Sequence, residues 1–278
     1  MAVAAVAPAA QPNAAEASLA ETLARVGARV EQWYSRAQNI VSLETVWIQR
    51  LRSDWSSADM PRHLEYELRV AWDPDGTVPG SLPEASVLRQ VVAVNGRPPR
   101  DTDEPGCMDP KPVSPEPLAM LLAPQREDFE FSHAGETRVR GRSAVMIDYR
   151  GMAHSPADVR WRDDCVSVSL PGRSTGRIWI DAATYDVLRL DEYLVGQFEF
   201  PVPREQVRQG AATSMLIEHA ESSIEFRRVE FQDPAEVLVL PAAIDTLTVV
   251  RGRGVQRTRI TQRFSDFRRF LADGRIVR

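Results

Sequence analysis

From Glu16 to Ile40 the apolar residues Leu19, Leu23, Val26, Val30, Trp33, Ala37 and Ile40 recur at intervals of three and four. At 3.6 residues per turn they share one stripe, which predicts an amphipathic helix ending near Asn39 and needing an apolar partner. The period then changes to two. Leu64, Tyr66, Leu68, Val70 and Trp72 alternate with Glu65, Glu67, Arg69 and Ala71. Successive strand side chains point to opposite faces, so His63 to Trp72 predicts a strand with one dry and one wet face. Ser42 to Arg52 reads as a strand with a register shift near Val46 and Trp47, and Val87 to Val94 as one ending in the turn dipeptide Asn95-Gly96.

Prolines at 98, 99, 105, 110, 112, 115 and 117 exclude a strand or long helix between Arg97 and Pro117 and predict an extended loop. Leu118 to Ala123, held between Pro117 and Pro124, predicts one or two helical turns. Beyond Gln125 period two dominates: Phe129 and Phe131, Val145 and Ile147, Val166 and Val168, Ile178 and Ile180, Leu188 and Leu190, Ile224 and Phe226. Turns are predicted at Gly135-Glu136, Gly141-Arg142, Pro171-Gly172, Asp181 to Thr184 and Gly252 to Gly254. Pro201 and Pro203 end the run around Phe198 and Phe200, and the polar Gln206 to Thr213 reads as a loop that would suit a hinge. Strand patterns resume at Ile217 to Phe231, Val237 to Leu240, Ile244 to Val250 and Val255 to Phe264. Composition does not break and no fixed-period repeat occurs.

The fold class expected is mainly β with few helices (α+β). A strongly curved antiparallel sheet, or half-open β-barrel, would be covered by the N-terminal helix and a short helical lid. Residues 1–15 form an Ala/Pro-rich segment expected to be disordered, and residues 16–278 a single domain with a Pro-rich loop at 97–117.

Composition narrows the partners. The formal charge is -5 and no run of apolar residues is long enough for a membrane-spanning helix. Arg227-Arg228, Arg251, Arg253, Arg257, Arg259 and Arg268-Arg269 interleave with Phe264, Phe267 and Phe270, a pattern that can bind single-stranded nucleic acid. Lys111 is the only lysine, so arginine is simply the preferred base, and Glu225, Glu230, Asp233 and Asp266 offset the cluster; nucleic acid is not expected. The first 20 residues lack Lys and Arg and so lack the basic start of a secretory signal. A periplasmic or exported protein beginning after a removed signal fits, and so does a cytoplasmic one with a loose tail. Cys107 and Cys165, 58 positions apart, form no CxxC pair; a bridge from the Pro-rich loop to a strand and two buried free thiols both fit.

Little in the chain suggests catalysis. Gly172-Arg173-Ser174-Thr175-Gly176 satisfies G-x-S-x-G, but a nucleophile elbow needs a helix after the serine, and here Arg177 to Asp181 reads as a strand. His63, His133, His154 and His219 make no metal-ligand spacing, and Gly252-Arg253-Gly254 lacks the following GK[ST] of a phosphate loop. Glu65 with Glu67 and Asp163 with Asp164 are adjacent acids, but alternating acids on a strand form a solvated face. No enzyme, metal or cofactor is expected.

What remains is a large apolar face. Trp47, Tyr66, Trp72, Trp161, Trp179, Phe226 and Phe264 come from different predicted strands, and a curved sheet would gather several of them on its concave side. That side is either a filled core or a cavity for an acyl chain. The candidate lining is Tyr66, Leu68, Val70, Trp72, Met120, Leu121, Ile178, Ile180, Leu188 and Leu190, with the segment around Met120 as a lid. At about 0.8 kcal/mol per buried CH₂, a long acyl chain contributes on the order of 10 kcal/mol before ordering losses.

The N-terminal helix, the Leu64 to Trp72 strand, Val92-Ala93-Val94-Asn95-Gly96, Gly176 to Asp181 with Thr184, Val187 to Leu190, and the closing Arg263-Phe264-Ser265-Asp266-Phe267-Arg268-Arg269-Phe270 resemble uncharacterised bacterial exported proteins. These are similar to the lipoprotein-localisation carriers of the LolA/LolB type. The resemblance runs over most of Ser42 to Arg278. It implies an incomplete antiparallel barrel wrapped over helices, an apolar pocket for lipid acyl chains and no catalysis. The long Pro-rich loop departs from that pattern. The functional expectation is therefore non-catalytic binding or carriage of a lipid or lipoprotein acyl chain in the cell envelope, with another envelope protein as a further partner. The alternative is a structural or protein-interaction module of the same fold with a filled core.

Overall fold

A computed structural model describes residues 14–36, 40–72, 85–101, 103, 106–109, 116–152, 155–162, 165–207, 212–232 and 235–269. Helix α1 (Ala14–Arg36) is followed by strands β1 (Ile40–Leu51), β2 (Arg62–Trp72) and β3 (Ala85–Val94). Two single helical turns, α2 (Glu116–Ala119) and α3 (Ala123–Arg126), lead into β4 (Phe129–Val139), β5 (Arg142–Gly151), β6 (Asp158–Arg162), β7 (Cys165–Ser169), β8 (Ser174–Asp181), β9 (Val187–Leu194) and β10 (Phe198–Pro201). Three long strands close the chain, β11 (Ser214–Gln232), β12 (Ala235–Arg251) and β13 (Val255–Arg269).

All but β6 and β7 join one antiparallel sheet in the order β3-β2-β1-β13-β12-β11-β9-β8-β5-β4, with β10 added on β11; β6 and β7 form a separate hairpin. The sheet does not close into a barrel: β3 and β4 remain at its two edges. It bends around α1, which lies against β12 near the middle of the sheet and against β4 at its edge. This is the half-open, helix-covered sheet that the sequence predicts. Among the described residues no helix is long and apolar enough to cross a membrane.

The face carrying α1 is the inner face. Its core joins Leu23, Val26, Val30 and Tyr34 of α1 to Ile178, Ile180, Leu190, Ile224, Phe226, Ile244 and Phe264 of the strands. Register explains which aromatics arrive there. Tyr66, Phe226 and Phe264 share the parity of the core residues and are buried. Trp47 and Trp179 alternate with buried neighbours and fall on the outer face, where Trp47 stacks on His63 and Trp179 receives the Arg189 guanidinium. Trp161, on the separate hairpin, packs on Phe200.

Several local expectations change. Helix α1 is described as far as Arg36, the expected end near Asn39 lies outside the described residues, and Ile40 belongs to β1 and not to the helix; Arg269 donates to the Arg36 carbonyl at 2.8 Å. The register shift of β1 lies between Val41 and Leu43 against β13, not at Val46 and Trp47. Gly135-Glu136 is not a turn. It sits within β4, where a bulge against β5 puts Gly135 at φ 110°. The turn that follows centres on Arg140-Gly141, both at positive φ, as a two-residue hairpin of this hand requires. Pro124 does not end the helical segment but starts α3. Val237–Leu240 and Ile244–Val250 are one strand, β12, running through Pro241. Proline is tolerated because β13 pairs with β12 only from Ala243 onward, and β11 shifts register between Glu225 and Phe226 opposite it.

Cys107 and Cys165 are disulfide-bonded with Cα atoms 5.1 Å apart. The bond ties the Pro-rich loop to the β6–β7 hairpin. Arg97–Asp103 at 2.8 Å and Arg62–Asp109 at 3.1 Å pin the same loop beside the inner face near Tyr66. The described part of 97–117 contains no strand beyond the single bridge of Arg97 to Val94. Residues 1–13, Ala37, His154, Asp163, Asp164 and Phe270, on which several expectations fell, lie outside the described residues, as does the side chain of Trp72.

Candidate functional site

The inner face has two halves. Under α1 and the segment Leu118 to Leu122 it is packed solid. Leu68, Met120, Leu121, Ile178, Ile180 and Leu190 are brought together in the main core, Val70 packs at its margin, and Tyr66 belongs to a neighbouring cluster with Val46 and Leu64. Leu188, beside the register shift between β8 and β9, is also buried. The helix comes this close because Gly27 has no side chain. A Cβ there would stand 2.5 Å from the Arg126 guanidinium and 2.7 Å from the Leu121 carbonyl. Beside α1, between Trp33, Leu118 and Phe226, only a crevice of about 40 Å³ remains. That is room for water, not for a ligand.

Further along the same strands the inner face is hollow. A cavity of about 370 Å³ lies between the β7 residues and the sheet, lined by the apolar Val168, Leu170, Leu194, Ile217 and Ala220 and by the polar Arg173, Ser174, Glu192, Tyr193, Glu221, Ser222, Thr246 and Thr248. Register assigns the residues of β8, β9, β11 and β12 among them, Tyr193 and Glu221 excepted, to the inner face. Ser174 pairs with Leu194, Glu192 with Ser222 and Ser222 with Thr246, in step with the buried pair Ile178 and Leu190. Of the ten residues singled out from sequence, the nine whose side chains are described do not border this hollow; it opens on the next residues of the same β8 and β9.

Glu192 is its chemical feature. Tyr149 Oη donates to Glu192 Oε2 at 3.3 Å, and Ser174 also bonds the carboxylate. Burial pushes the Glu192 carboxyl above the ordinary carboxylate range, and the two hydroxyl donors pull it back by less. Burial, then the Glu192 charge, likewise drives the Tyr149 phenol far above its ordinary range. No ion pair reaches Glu192 from the described residues. Arg173, at the rim, has its guanidinium over the Phe198 ring and bonds the Gln197 carbonyl.

The G-x-S-x-G string now has a structural explanation. Gly172, at φ 72°, makes the turn into β8. Gly176 leaves room for the Tyr149 ring. A Cβ there would sit 1.9 Å from the Asp191 carbonyl and 2.8 Å from the Tyr149 hydroxyl. A strand, not a helix, follows Ser174, so the elbow geometry is not built. Glu65 and Glu67 lie on the outer face, and Glu67 is paired with Arg69 and Arg268. Among the described residues no group of His, Cys, Asp or Glu is placed to hold a metal ion.

The outer face opposite the hollow carries a groove of about 150 Å³ lined by Arg189, Asp191, Glu221, Asp245 and Arg259. Two of its carboxylates are paired at home, Asp191 with Arg189 at 2.7 Å and Asp245 with Arg263 at 3.1 Å, and His219 Nε2 lies 3.0 Å from Glu221.

No family model matches the chain, and no curated protein matches it. Solved structures do. The chain is similar to a domain named for outer membrane lipoprotein sorting from Vibrio parahaemolyticus (12% identity, 91% of this chain and 92% of that one, TM-score 0.39). It is also similar to a LolA superfamily protein from Nitrosomonas europaea (10% identity, 90% and 95%, TM-score 0.35). A third is a DUF1329 family protein from Desulfovibrio piger (13% identity, 91% and 93%, TM-score 0.40). The superpositions are loose, and cargo and chemistry have to be read from the residues of this chain.

Proposed function

We propose that this protein is a non-catalytic carrier or binder of an apolar ligand, a lipid or lipoprotein acyl chain, working in the cell envelope. The observation that carries this reading is the hollow of about 370 Å³ on an inner face that is otherwise close-packed. Its size falls within the roughly 300–1,000 Å³ of small-ligand sites, and Val168, Leu170, Leu194, Ile217 and Ala220 give it an aliphatic lining beside its polar one. The Cys107–Cys165 bond supports an oxidising compartment, since such bonds do not persist among cytosolic thiols.

The ten residues read from sequence enter as the extension of that site. Ile178 follows Ser174 along β8 by four residues, roughly 13 Å of strand. A ligand longer than the hollow would displace the lid around Met120 and lie along Ile178, Ile180, Leu188 and Leu190 toward Leu68, Val70, Tyr66 and Trp72, with Leu121 withdrawn. Catalysis has no part in this reading.

Mass spectrometry of organic extracts of the purified full chain, with uptake of a fluorescent fatty acid as a second readout, tests it. Co-purifying lipid and saturable uptake are expected, with uptake weakened about tenfold or more by Ala220→Trp, which fills the hollow. Clean extracts with no uptake would instead make the chain a structural or protein-interaction module with a filled core.

A further inference from the structure

The apolar wall of the hollow says little about which amphiphile enters, but its polar wall is specific. In register on the inner face it holds the carboxylate of Glu192 and a set of hydroxyls on neighbouring strands, Ser174, Ser222, Thr246 and Thr248, while Arg173, Tyr193 and Glu221 also border the hollow. Resting on the ligand-binding reading above, we propose that the hollow selects an amphiphile whose head is a primary ammonium, held by Glu192 and the surrounding hydroxyls.

Three observations converge. Glu192 sits at the wall of a cavity, bonded only by the neutral donors Tyr149 and Ser174, with no cation among the described residues paired to it. A carboxylate in such a place lacks a counter-charge, and the binding of one is favourable because the cost of burying the acid has already been met by the fold. An ammonium has three N–H donors and no acceptor, so it satisfies Glu192 and two hydroxyl oxygens at once. The hydroxyls flank the carboxylate in register. Ser222 stands opposite Glu192 and Thr246 opposite Ser222, across three neighbouring strands. Finally, Val168, Leu170, Leu194 and Ile217 provide an aliphatic wall in the same cavity for the attached chain.

An anionic head is disfavoured next to Glu192. The cation that borders the hollow, Arg173, lies over Phe198 at the rim, so a carboxylate or phosphate head would be held there and would not depend on Glu192. The other carboxylate at the hollow, Glu221, also lines the outer-face groove, where its Oε2 lies 3.0 Å from His219 Nε2.

The test is titration calorimetry of the full chain with three probes of equal tail length below their micelle concentrations: dodecylammonium, dodecanol and dodecanoate. Dodecylammonium is expected to bind about tenfold or more tightly than either of the others. Glu192→Gln, which keeps the shape of the side chain, is expected to abolish that advantage, so that the amine binds no more tightly than dodecanol does to the same variant. If dodecanol or dodecanoate binds as tightly as the amine, or if Glu192→Gln leaves the amine unaffected, the ammonium assignment is overturned while the amphiphile-binding reading stands. If none of the three binds, both fall. The comparison among probes uses the unaltered chain, so it decides the question even where the variant fails to fold.

Discussion

Glu44 shows what a single polar residue does in this sheet. It is fully buried on β1, and both of its oxygens are used. Gln262 Nε2 donates to Oε1 at 2.7 Å, and Arg89 donates to Oε1 at 2.7 Å and to Oε2 at 2.8 Å. The guanidinium in turn lies 3.7 Å over the Tyr66 ring. Four strands, β3, β2, β1 and β13, are locked in register by this one cluster. Breaking half of a buried pair strands the other charge, so Arg89→Met is expected to cost about 3–5 kcal/mol in urea unfolding, whereas Glu44→Leu with Arg89→Met should recover most of that loss. A cost below about 1 kcal/mol for the single change would show that water already reaches Glu44.

A second residue-scale prediction concerns acid. The Arg97 guanidinium, and then the Arg100 amide, hold the Asp103 carboxyl down to about 2, against 3.8 ordinarily. A depressed acid stabilises the folded form above its unfolded value, and that contribution is lost as pH falls toward its folded one. The order of the loop around Asp103 is therefore expected to persist at pH 5 and to fade between roughly pH 4 and 2, read from exchange of the Arg100 amide. Arg97→Met should move the loss to higher pH.

At the scale of elements, the periodicities did most of the prediction, because they are local. The α1 stripe and the alternation of β2 reappear as Leu23, Val26 and Val30 and as Leu64, Tyr66 and Leu68 in the core. What local pattern does not encode is pairing between distant segments. Nothing in a spacing of 58 residues decides whether Cys107 and Cys165 meet, and the bulge at Gly135 reads from sequence as a turn because glycine serves both. The hollow was half legible. Leu188, Leu190 and Glu192 are two apart on β9, so an acid standing in step with apolar neighbours was a readable sign of a polar group on the inner face; it is obscured by the adjacent Asp191, which faces outward and pairs with Arg189. Where the hollow ends and solid packing begins depends on α1 docking, which no strand's own sequence records. The disulfide yields a direct prediction. Closing a chain of this length stabilises by about 4 kcal/mol in the loop-entropy picture, as an upper figure. Replacing both cysteines by alanine is expected to raise amide exchange in Gly106 to Asp109 and in β6–β7 before the main sheet. Simultaneous loss of protection in β12 and β13 would mean that the bond holds the whole fold and not just the wall of the hollow.

On the scale of the molecule, the question is whether α1 can leave the inner face without unfolding the sheet. The helix is docked by an apolar stripe and by two polar contacts to the β8–β9 turn. Arg29 donates to Asp186 at 2.7 Å, and Arg25 donates to the Tyr185 hydroxyl at 2.8 Å. Asp186 is buried and also accepts from Thr184, so the turn presents a fixed carboxylate to a partly exposed arginine. Asp186→Asn removes the charge and keeps the shape. Because Arg29 is 40% exposed, the loss in global stability should stay below about 1 kcal/mol. The larger effect is expected locally: faster amide exchange along α1, with β1, β12 and β13 unchanged, and quicker uptake of long-chain ligands but not of ligands short enough for the hollow. Those two readouts separate a helix that opens on its own from one that is part of the core. If α1 exchanges only together with β12 and β13 in both proteins, the apolar half of the inner face never becomes available, and binding is confined to the cavity beside Glu192.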